Sequence, residues 1–100
     1  MTDIRFDGRV AIVTGAGRGG GRRQAQLLAA RGARVVVNDA VAGDAVVVAK
    51  EIEDRGGVAI PTSDVADTPE GARALIDAAV NSFGGVDILV FDAEIGRAHV

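Results

Sequence analysis

The chain has 100 residues, a formal charge of −3 and no cysteine, and 48% of its residues are apolar. This length suits one small domain or part of a larger one, with enough apolar residues for a core. The negative charge argues against nucleic acid as a partner, and the lack of cysteine excludes disulfides, thiolate metal sites and a thiol nucleophile.

The N-terminal stretch MTDIRFDGR has scattered charges and no apolar core, which is unlike a secretory signal peptide. No apolar run approaches the ~20 residues that a membrane-spanning helix needs. We therefore expect a cytoplasmic protein with no membrane partner.

The segment Val10–Gly21, VAIVTGAGRGGG, predicts a strand followed by a glycine-rich loop. Val10–Val13 is apolar throughout, as a buried parallel strand requires on both faces. Gly15 allows a sharp turn out of the strand, and Gly19 and Gly21 keep side chains out of close backbone approaches. A helix that begins after such a loop binds a dinucleotide pyrophosphate, because free N–H groups and about half a positive charge face the anion.

The next segments predict a helix over Arg22–Arg31 and a second strand over Arg34–Asn38, which Asp39 ends. Gly32 suits the left-handed position that follows a helix. Three apolar residues of the helix are expected to face the sheet: Ala25, Leu27 and Leu28.

A second helix is predicted over about 43–55, with Val48 and Ile52 four residues apart on one face. The pair Gly56–Gly57 ends this helix, and Val58–Pro61 forms a short third strand.

The third helix has the clearest signals. Thr68 is a good N-cap, Pro69 suits the first helical position, and Glu70 favours the positive helix end. Gly84–Gly85 ends the helix, and Val86–Phe91 is the fourth strand. The apolar positions follow helical spacing and are expected to be core: Ala72, Leu75, Ile76, Ala79, Val80 and Phe83.

The resulting order, β-α-β-α-β-α-β, predicts an α/β fold with a partial Rossmann-type parallel sheet and right-handed crossovers. We expect the strand order 3-2-1-4, with a crevice between strands one and four where the order reverses.

Thr14–Gly21, TGAGRGGG, matches the TGxxxGxG pattern of the short-chain dehydrogenases/reductases, which the chain resembles over nearly its whole length. The match continues with Asp39, with Asp64–Val65 after strand three, and with DILV in strand four. The segments FDGRVAIVTGAG and GARVVVND are most similar to the branch of the family that contains the 3-hydroxyacyl-CoA dehydrogenases of multifunctional β-oxidation enzymes.

The resemblance implies a set of cofactor contacts. Asp39 would accept hydrogen bonds from the adenosine ribose, and Asp64 and Val65 would meet the adenine. The phosphates would be surrounded by five loop residues: Gly15, Arg18, Gly19, Gly20 and Gly21.

This sequence departs from the family pattern at two places. The family's Asn-Asn-Ala-Gly after strand four maps onto Phe91–Glu94, where only Ala93, a further implied cofactor contact, is retained. Gly20 stands where a branched aliphatic residue is usual.

NAD is the expected cofactor, with NADP disfavoured by Asp39. A 2′-phosphate ~4 Å from this carboxylate would be repelled by ~1 kcal/mol per charge pair in water and ~4 kcal/mol at an effective dielectric constant of 20. Arg18 would offset part of this repulsion.

Structural interpretations stand beside these functional ones. The glycine loop also suits a plain strand-to-helix turn, Asp39 a solvated residue at a strand end, and Asp64 a turn former. Arg22 and Arg23 suit a solvated helix start better than a substrate contact.

The resemblance implies an oxidoreductase that acts on an alcohol or carbonyl, such as a hydroxyacyl thioester or a steroid-like substrate, and that forms a homo-oligomer. The family's catalysts, an asparagine, a serine and a Tyr-x-x-x-Lys pair, follow strand four. This chain has no tyrosine, and its one lysine, Lys50, falls in the second helix. We therefore expect the cofactor-binding part of a longer enzyme, with no catalytic residues of its own. A non-catalytic dinucleotide-binding module and an inactive fragment are the alternatives.

The segment 95–100, IGRAHV, fits no strand or helix pattern. One coding of it, ATC GGA AGA GCA CAC GTC, reads as a sequencing adapter that begins AGATCGGAAGAGC. The adapter's first two bases complete a GAG codon for Glu94, where the family pattern has glycine. We expect 1–94 to be part of a Rossmann domain, and 95–100 and the identity of Glu94 to be non-native. A natural gene with other codons, encoding a divergent tail, would reject this.

Overall fold

A computed structural model describes residues 4–91, so the predictions for Ala93, Glu94 and 95–100 lie outside the described residues. Strands and helices alternate along the chain as β1 (Val10–Thr14), α1 (Gly19–Ala30), β2 (Arg34–Asn38), α2 (Ala42–Asp54), β3 (Val58–Thr62), α3 (Pro69–Phe83) and β4 (Ile88–Phe91).

The strands form one parallel sheet in the order β3-β2-β1-β4. This confirms the predicted α/β class and the predicted strand order. Ala11 of β1 lies in register with Val35 of β2 and with Ile88 of β4, so β1 is a central strand. All five residues of β1 are buried, because the sheet has helices on both faces.

Alternate residues of the strands contribute to two separate cores. On one face, Val13 and Val37 pack with Val48 and Ile52 of α2 and with the alanines of α1. On the other face, the strand residues Val10, Ile12 and Val36 pack against Leu75 and Ala79 of α3. The carboxyl ends of all four strands meet at one edge of the sheet, and every helix begins at that edge.

Helix α1 begins three residues earlier than predicted, at Gly19 instead of Arg22. The intrinsic preference of glycine for loops is overridden here, because Gly21 is buried in the first turn of the helix. Leu27 is 53% exposed, so its predicted contact with the sheet was wrong. Ala25, Leu28 and the buried Ala29 share a helix face toward the core, and Leu27 lies outside that face.

The predicted ends of α3 are confirmed. The Thr68 hydroxyl accepts a hydrogen bond from the Gly71 N–H at 3.0 Å, and Pro69 is the first helical residue. At the other end, Gly84 adopts a φ of 91°, which is the left-handed conformation that glycine favours.

The predicted apolar stripe of α3 is only partly core. Leu75 and Ala79 are buried, whereas Ile76 and Val80 are 47% and 46% exposed, so the prediction for those two residues was wrong. Within residues 4–91, α3 is the one helix on its face of the sheet, and it packs over β1 and β2. Leu89 of β4, in register with Ile12 on this same face, is 52% exposed beyond the helix.

The predicted strand ends shift by one or two residues: β1 and β3 include Thr14 and Thr62, and β4 begins at Ile88. Asp87 precedes β4 and accepts a hydrogen bond from the Val10 N–H at 2.8 Å, which fixes the start of the pairing with β1. No helix between residues 4 and 91 has the length and apolar character to cross a bilayer.

Leu75 and Ile76 provide a matched test of how α3 is oriented. We expect Leu75→Ala to lower the free energy of unfolding by about 2–5 kcal/mol, because it leaves a cavity between the helix and the sheet. Ile76→Ala, the control at the adjacent exposed position, should change it by less than about 1 kcal/mol. Urea unfolding followed by circular dichroism measures both values. Equal losses in the two variants would contradict the packing of α3.

Candidate functional site

An open groove of about 580 Å³ lies at the carboxyl edge of the sheet. In open α/β sheets, ligands bind outside this edge, at the point where the strand order reverses. The groove is lined by the ends of three strands and the loops that follow them: Thr14, Gly15, Arg18, Asn38, Asp39, Ala40, Val41, Asp64, Val65, Ala66, Asp67 and Phe91.

The glycine loop leaves β1 through backbone conformations that other residues avoid. Gly15 and Gly19 both have a φ of 62°, in the left-handed region. Between them, the Ala16 N–H donates to the Asn38 carbonyl at 2.8 Å, and the Ala16 side chain is fully buried. The loop is thereby held against the end of β2 and follows a fixed path into α1.

Gly17 makes the closest approach in the loop, and the sequence interpretation missed it. A Cβ on Gly17 would lie 2.6 Å from the Asp44 Cβ and 2.7 Å from Asp39 Oδ2, which is too close for any side chain. A Cβ on Gly19 would have no atom within 4 Å, so only the positive φ favours glycine at that position. The alternating glycines of GAG were a usable signal for Gly17, but its neighbours are Asp39, which follows β2, and Asp44 of α2.

The three helices begin at the groove edge and differ in how their positive ends are compensated. At α3, Thr68 caps the helix and Glu70 adds an acid in the first turn, and α2 has Asp44 in its first turn. At α1, the N-cap residue Arg18 makes no side-chain cap, and the first turn has no acidic residue. The start of α1 is therefore the helix end at this edge best prepared for an anionic ligand.

Asp39 is fixed by two backbone amides. Its Oδ2 accepts from the Gly17 N–H at 2.9 Å, and its Oδ1 accepts from the Val41 N–H at 2.9 Å. Each carboxylate oxygen keeps capacity for a further donor, because an ionised carboxylate accepts about four hydrogen bonds. Asp39 is thus an oriented acceptor on the groove wall, as a sugar hydroxyl requires.

Asn38, a second residue missed from the sequence, positions the loop after β3. Its side-chain amide donates to Thr62 Oγ1 at 3.0 Å and to the Asp64 carbonyl at 2.9 Å. Its polar side chain at the end of the apolar strand RVVVN was the available signal. Thr68 adds a bond from its hydroxyl to the Val65 carbonyl at 3.2 Å, so Asp64 and Val65 are tied at both sides.

Among the described residues, the charged side chains that line the groove are mostly acidic. They are Asp39, Asp64 and Asp67 together with one cation, Arg18, which pairs with Asp44 at 2.9 Å. Within residues 4–91, no three His, Cys, Asp or Glu side chains are grouped as a metal ion would need.

Arg22 lies outside the groove lining and joins α1 to α2. Its guanidinium forms two hydrogen bonds with Glu51, which also accepts from Gln26 at 2.8 Å. Arg23, its neighbour, is exposed, so a structural interpretation suits both arginines.

Five of the predicted cofactor residues line the groove: Gly15, Arg18, Asp39, Asp64 and Val65. Gly19, Gly20 and Gly21 form the first turn of α1 beside it. Phe91, at the end of β4, also lines the groove and is 60% exposed. The site is therefore assembled from the ends of β1, β2 and β4 and the loop after β3, not from the glycine loop alone.

A second cavity, of about 360 Å³, lies at the opposite edge of the sheet between α1 and α2. Ala33 and Val58, near the amino ends of β2 and β3, contribute to it together with Gly56 and Gly57. The C-terminal ends of α1 and α2 meet there, and Arg5 and Arg55 are among the lining residues.

Comparison with known proteins assigns the family. The sequence profile of the short chain dehydrogenases matches residues 9–100. A peroxisomal multifunctional enzyme type 2 from Drosophila melanogaster is 48% identical over 103 residues, covering 94% of this chain and 17% of that protein.

Solved structures agree with the sequence match. A hydroxysteroid dehydrogenase from Escherichia coli has a TM-score of 0.85 at 42% identity, covering 87% of this chain and 37% of that one. A 7α-hydroxysteroid dehydrogenase, in complex with NADH and 7-oxo glycochenodeoxycholic acid, has a TM-score of 0.84 at 41% identity, covering 87% and 34%. The chain thus spans well under half the length of each of these relatives. With the profile, the strand order and the glycine loop in agreement, the chain belongs to the short chain dehydrogenase family and corresponds to its dinucleotide-binding portion.

Proposed function

We propose that the groove binds NAD and that the whole protein is an NAD-dependent oxidoreductase acting on an alcohol or carbonyl. The observation that carries this proposal is the start of α1, which has no capping side chain or first-turn acid and opens beside the oriented carboxylate of Asp39. A helix end of this kind favours phosphate, and a fixed carboxylate favours a ribose diol.

Each part of the groove suits one part of the cofactor. The backbone of the loop from Gly15 to Gly19 and the first amides of α1 would hold the pyrophosphate, because no side chain stands between them and an anion. Asp39 would accept from the adenosine ribose, and the half-exposed Val65 offers apolar surface to the adenine.

The preference for NAD over NADP rests on charge. Of residues 4–91, three aspartates and one arginine line the groove, and that arginine is paired with Asp44. A 2′-phosphate beside Asp39 would meet a carboxylate whose two amide partners hold it in place. A related 7α-hydroxysteroid dehydrogenase has been solved with NADH, which agrees with this preference.

When bound, the nicotinamide ring accepts or supplies the hydride. The sequence has no tyrosine to move the accompanying proton, and Lys50 pairs with Asp54 at 3.3 Å on α2, outside the groove lining. These 100 residues would therefore bind the cofactor without turning it over, as a non-catalytic binding module also would. NADH oxidation by the purified chain would contradict this part of the proposal.

The substrate is proposed from the relatives, as a hydroxyacyl thioester or a steroid-like alcohol or ketone. The cytoplasmic location, the homo-oligomeric state of the whole protein and the lack of nucleic-acid and membrane partners stay predictions.

Removal of the Asp39 carboxylate tests the ribose contact. We expect Asp39→Ala to weaken ADP-ribose binding at least ~10-fold, because hydrogen bonds to a charged group contribute about 1.5–3 kcal/mol. Asp77→Ala, which removes an exposed carboxylate from α3, is the control for net charge and should bind as the wild type does. Isothermal titration calorimetry measures both, with circular dichroism to check the fold. Unchanged affinity in Asp39→Ala would contradict the proposed contact.

A methyl group at Gly17 tests the close approach of the loop. We expect Gly17→Ala to weaken ADP-ribose binding at least ~10-fold, because the new Cβ displaces the loop from Asp39 and Asp44. Gly43→Ala, in the first turn of α2 with open space around its Cβ, should keep the affinity and raise stability by up to ~1 kcal/mol. If Gly17→Ala bound ADP-ribose as tightly as the wild type, the loop would be able to move away from Asp39 and Asp44, which contradicts this close packing.

A further inference from the structure

Arg18, which lines the groove, forms an ion pair with Asp44 of α2. Its Nη2 lies 2.9 Å from Asp44 Oδ2, across the gap between the glycine loop and the first turn of that helix. Arg18 is also the N-cap residue of α1, with extended backbone at φ −161° and ψ 169°. The ion pair thus joins the starts of the two helices.

Asp44 has little freedom to move away from this pair. Its Cβ lies 2.6 Å from the point where a Gly17 Cβ would be, so it packs directly against the loop backbone. Its own N–H donates to the Val41 carbonyl at 3.1 Å in the first turn of α2. The Asp44 side chain is 33% exposed, against 70% for Arg18. The carboxylate is therefore the less mobile partner of the ion pair, and the guanidinium is the more exposed one.

Asp39 and Asp44 together supply negative charge at the start of α2. Asp39 accepts from the Val41 N–H, and Asp44 is the acid of the first turn. A helix N-terminus is attractive to phosphate only while its positive end is uncompensated. At α2 the positive end is already compensated by the carboxylates of Asp39 and Asp44.

Exposed ion pairs contribute little to folding stability. The Arg18–Asp44 pair is of this kind, so its main effect is on the position of the guanidinium and on the charge of the groove wall. The position of the guanidinium and the charge of the groove wall determine how strongly a 2′-phosphate beside Asp39 would be repelled.

We infer that Asp44 is a positioning residue for cofactor preference: it holds Arg18 in an ion pair and so keeps this guanidinium from compensating a 2′-phosphate beside Asp39. The inference deepens the proposed function and rests on it. Discrimination against the 2′-phosphorylated cofactor then depends on two aspartates. Asp39 repels the phosphate, and Asp44 occupies the one groove-lining arginine of residues 4–91.

The test is the ratio of two dissociation constants, for 2′-phospho-ADP-ribose and for ADP-ribose, measured calorimetrically on the full chain. The variants are Asp44→Asn, Asp44→Glu, Arg18→Gln and the double variant D44N/R18Q. Asp54→Asn, which removes the carboxylate paired with Lys50 in the same helix, is the matched control. Partial loss of fold weakens both ligands equally, so it cancels in the ratio.

We expect the ratio to fall about threefold to fivefold in Asp44→Asn, because Arg18 becomes a partner for the extra phosphate and the gain is limited by the strength of an exposed ion pair. It should stay at the wild-type value in Asp44→Glu, which keeps a carboxylate for Arg18, and in Asp54→Asn. In D44N/R18Q most of the change should be lost, since the gain needs the guanidinium.

A ratio within twofold of wild type in Asp44→Asn would overturn the inference. An equal fall in D44N/R18Q would also overturn it, because Asp44 would then act by its own charge. Binding of neither ligand to the wild-type chain would instead overturn the proposed function, and this inference with it.

Discussion

The bridge made by the Asp39 carboxylate is the interaction on which the site depends. One oxygen accepts from the Gly17 amide of the β1–α1 loop, and the other accepts from the Val41 amide at the start of α2. The bridge requires a residue without a side chain at Gly17, since a Cβ there would overlap the carboxylate. It also fixes the direction in which Asp39 faces the groove. A single side chain therefore sets both the path of the glycine loop and the acceptor beside it.

A parallel sheet with crossover helices brings every helix start to one edge, so several positive helix ends compete for anions there. In this protein α3 is capped by Thr68, and α2 has Asp39 on an amide at its start and Asp44 in its first turn. Helix α1 lacks both a side-chain cap and a first-turn acid. The chain's own side-chain oxygens compensate the positive ends of α2 and α3, so the start of α1 is the helix end left for an anionic ligand. The carboxylates of Asp39 and Asp44 also add negative charge near the groove. The groups that leave α1 open to the pyrophosphate are therefore the ones proposed to disfavour a 2′-phosphate near α2.

The alternation of strands, helices and glycine stops predicted the fold class and the ends of α3, because these depend on local spacing and capping. The glycine loop was found in the same way, whereas the role proposed for Asp39 came from the family resemblance. The strand order followed from the topology rule for doubly wound parallel sheets. Gly17 and Asn38 were missed, since their roles depend on contacts with Asp44 and with the loop after β3, far along the chain. Ile76 and Val80 follow helical spacing, but spacing does not say how much of the sheet a single helix covers. Local sequence patterns predict the helices and strands, whereas the site is formed by contacts between the ends of helices and strands that are far apart in the sequence.

Amide NMR on the 15N-labelled chain during titration with ADP-ribose tests the location of the site most directly. We expect the largest chemical-shift changes at the Gly17 and Val41 amides, which donate to Asp39, and at the first amides of α1. Largest changes at Ala33, Gly56 and Gly57, around the cavity at the opposite edge of the sheet, would contradict it.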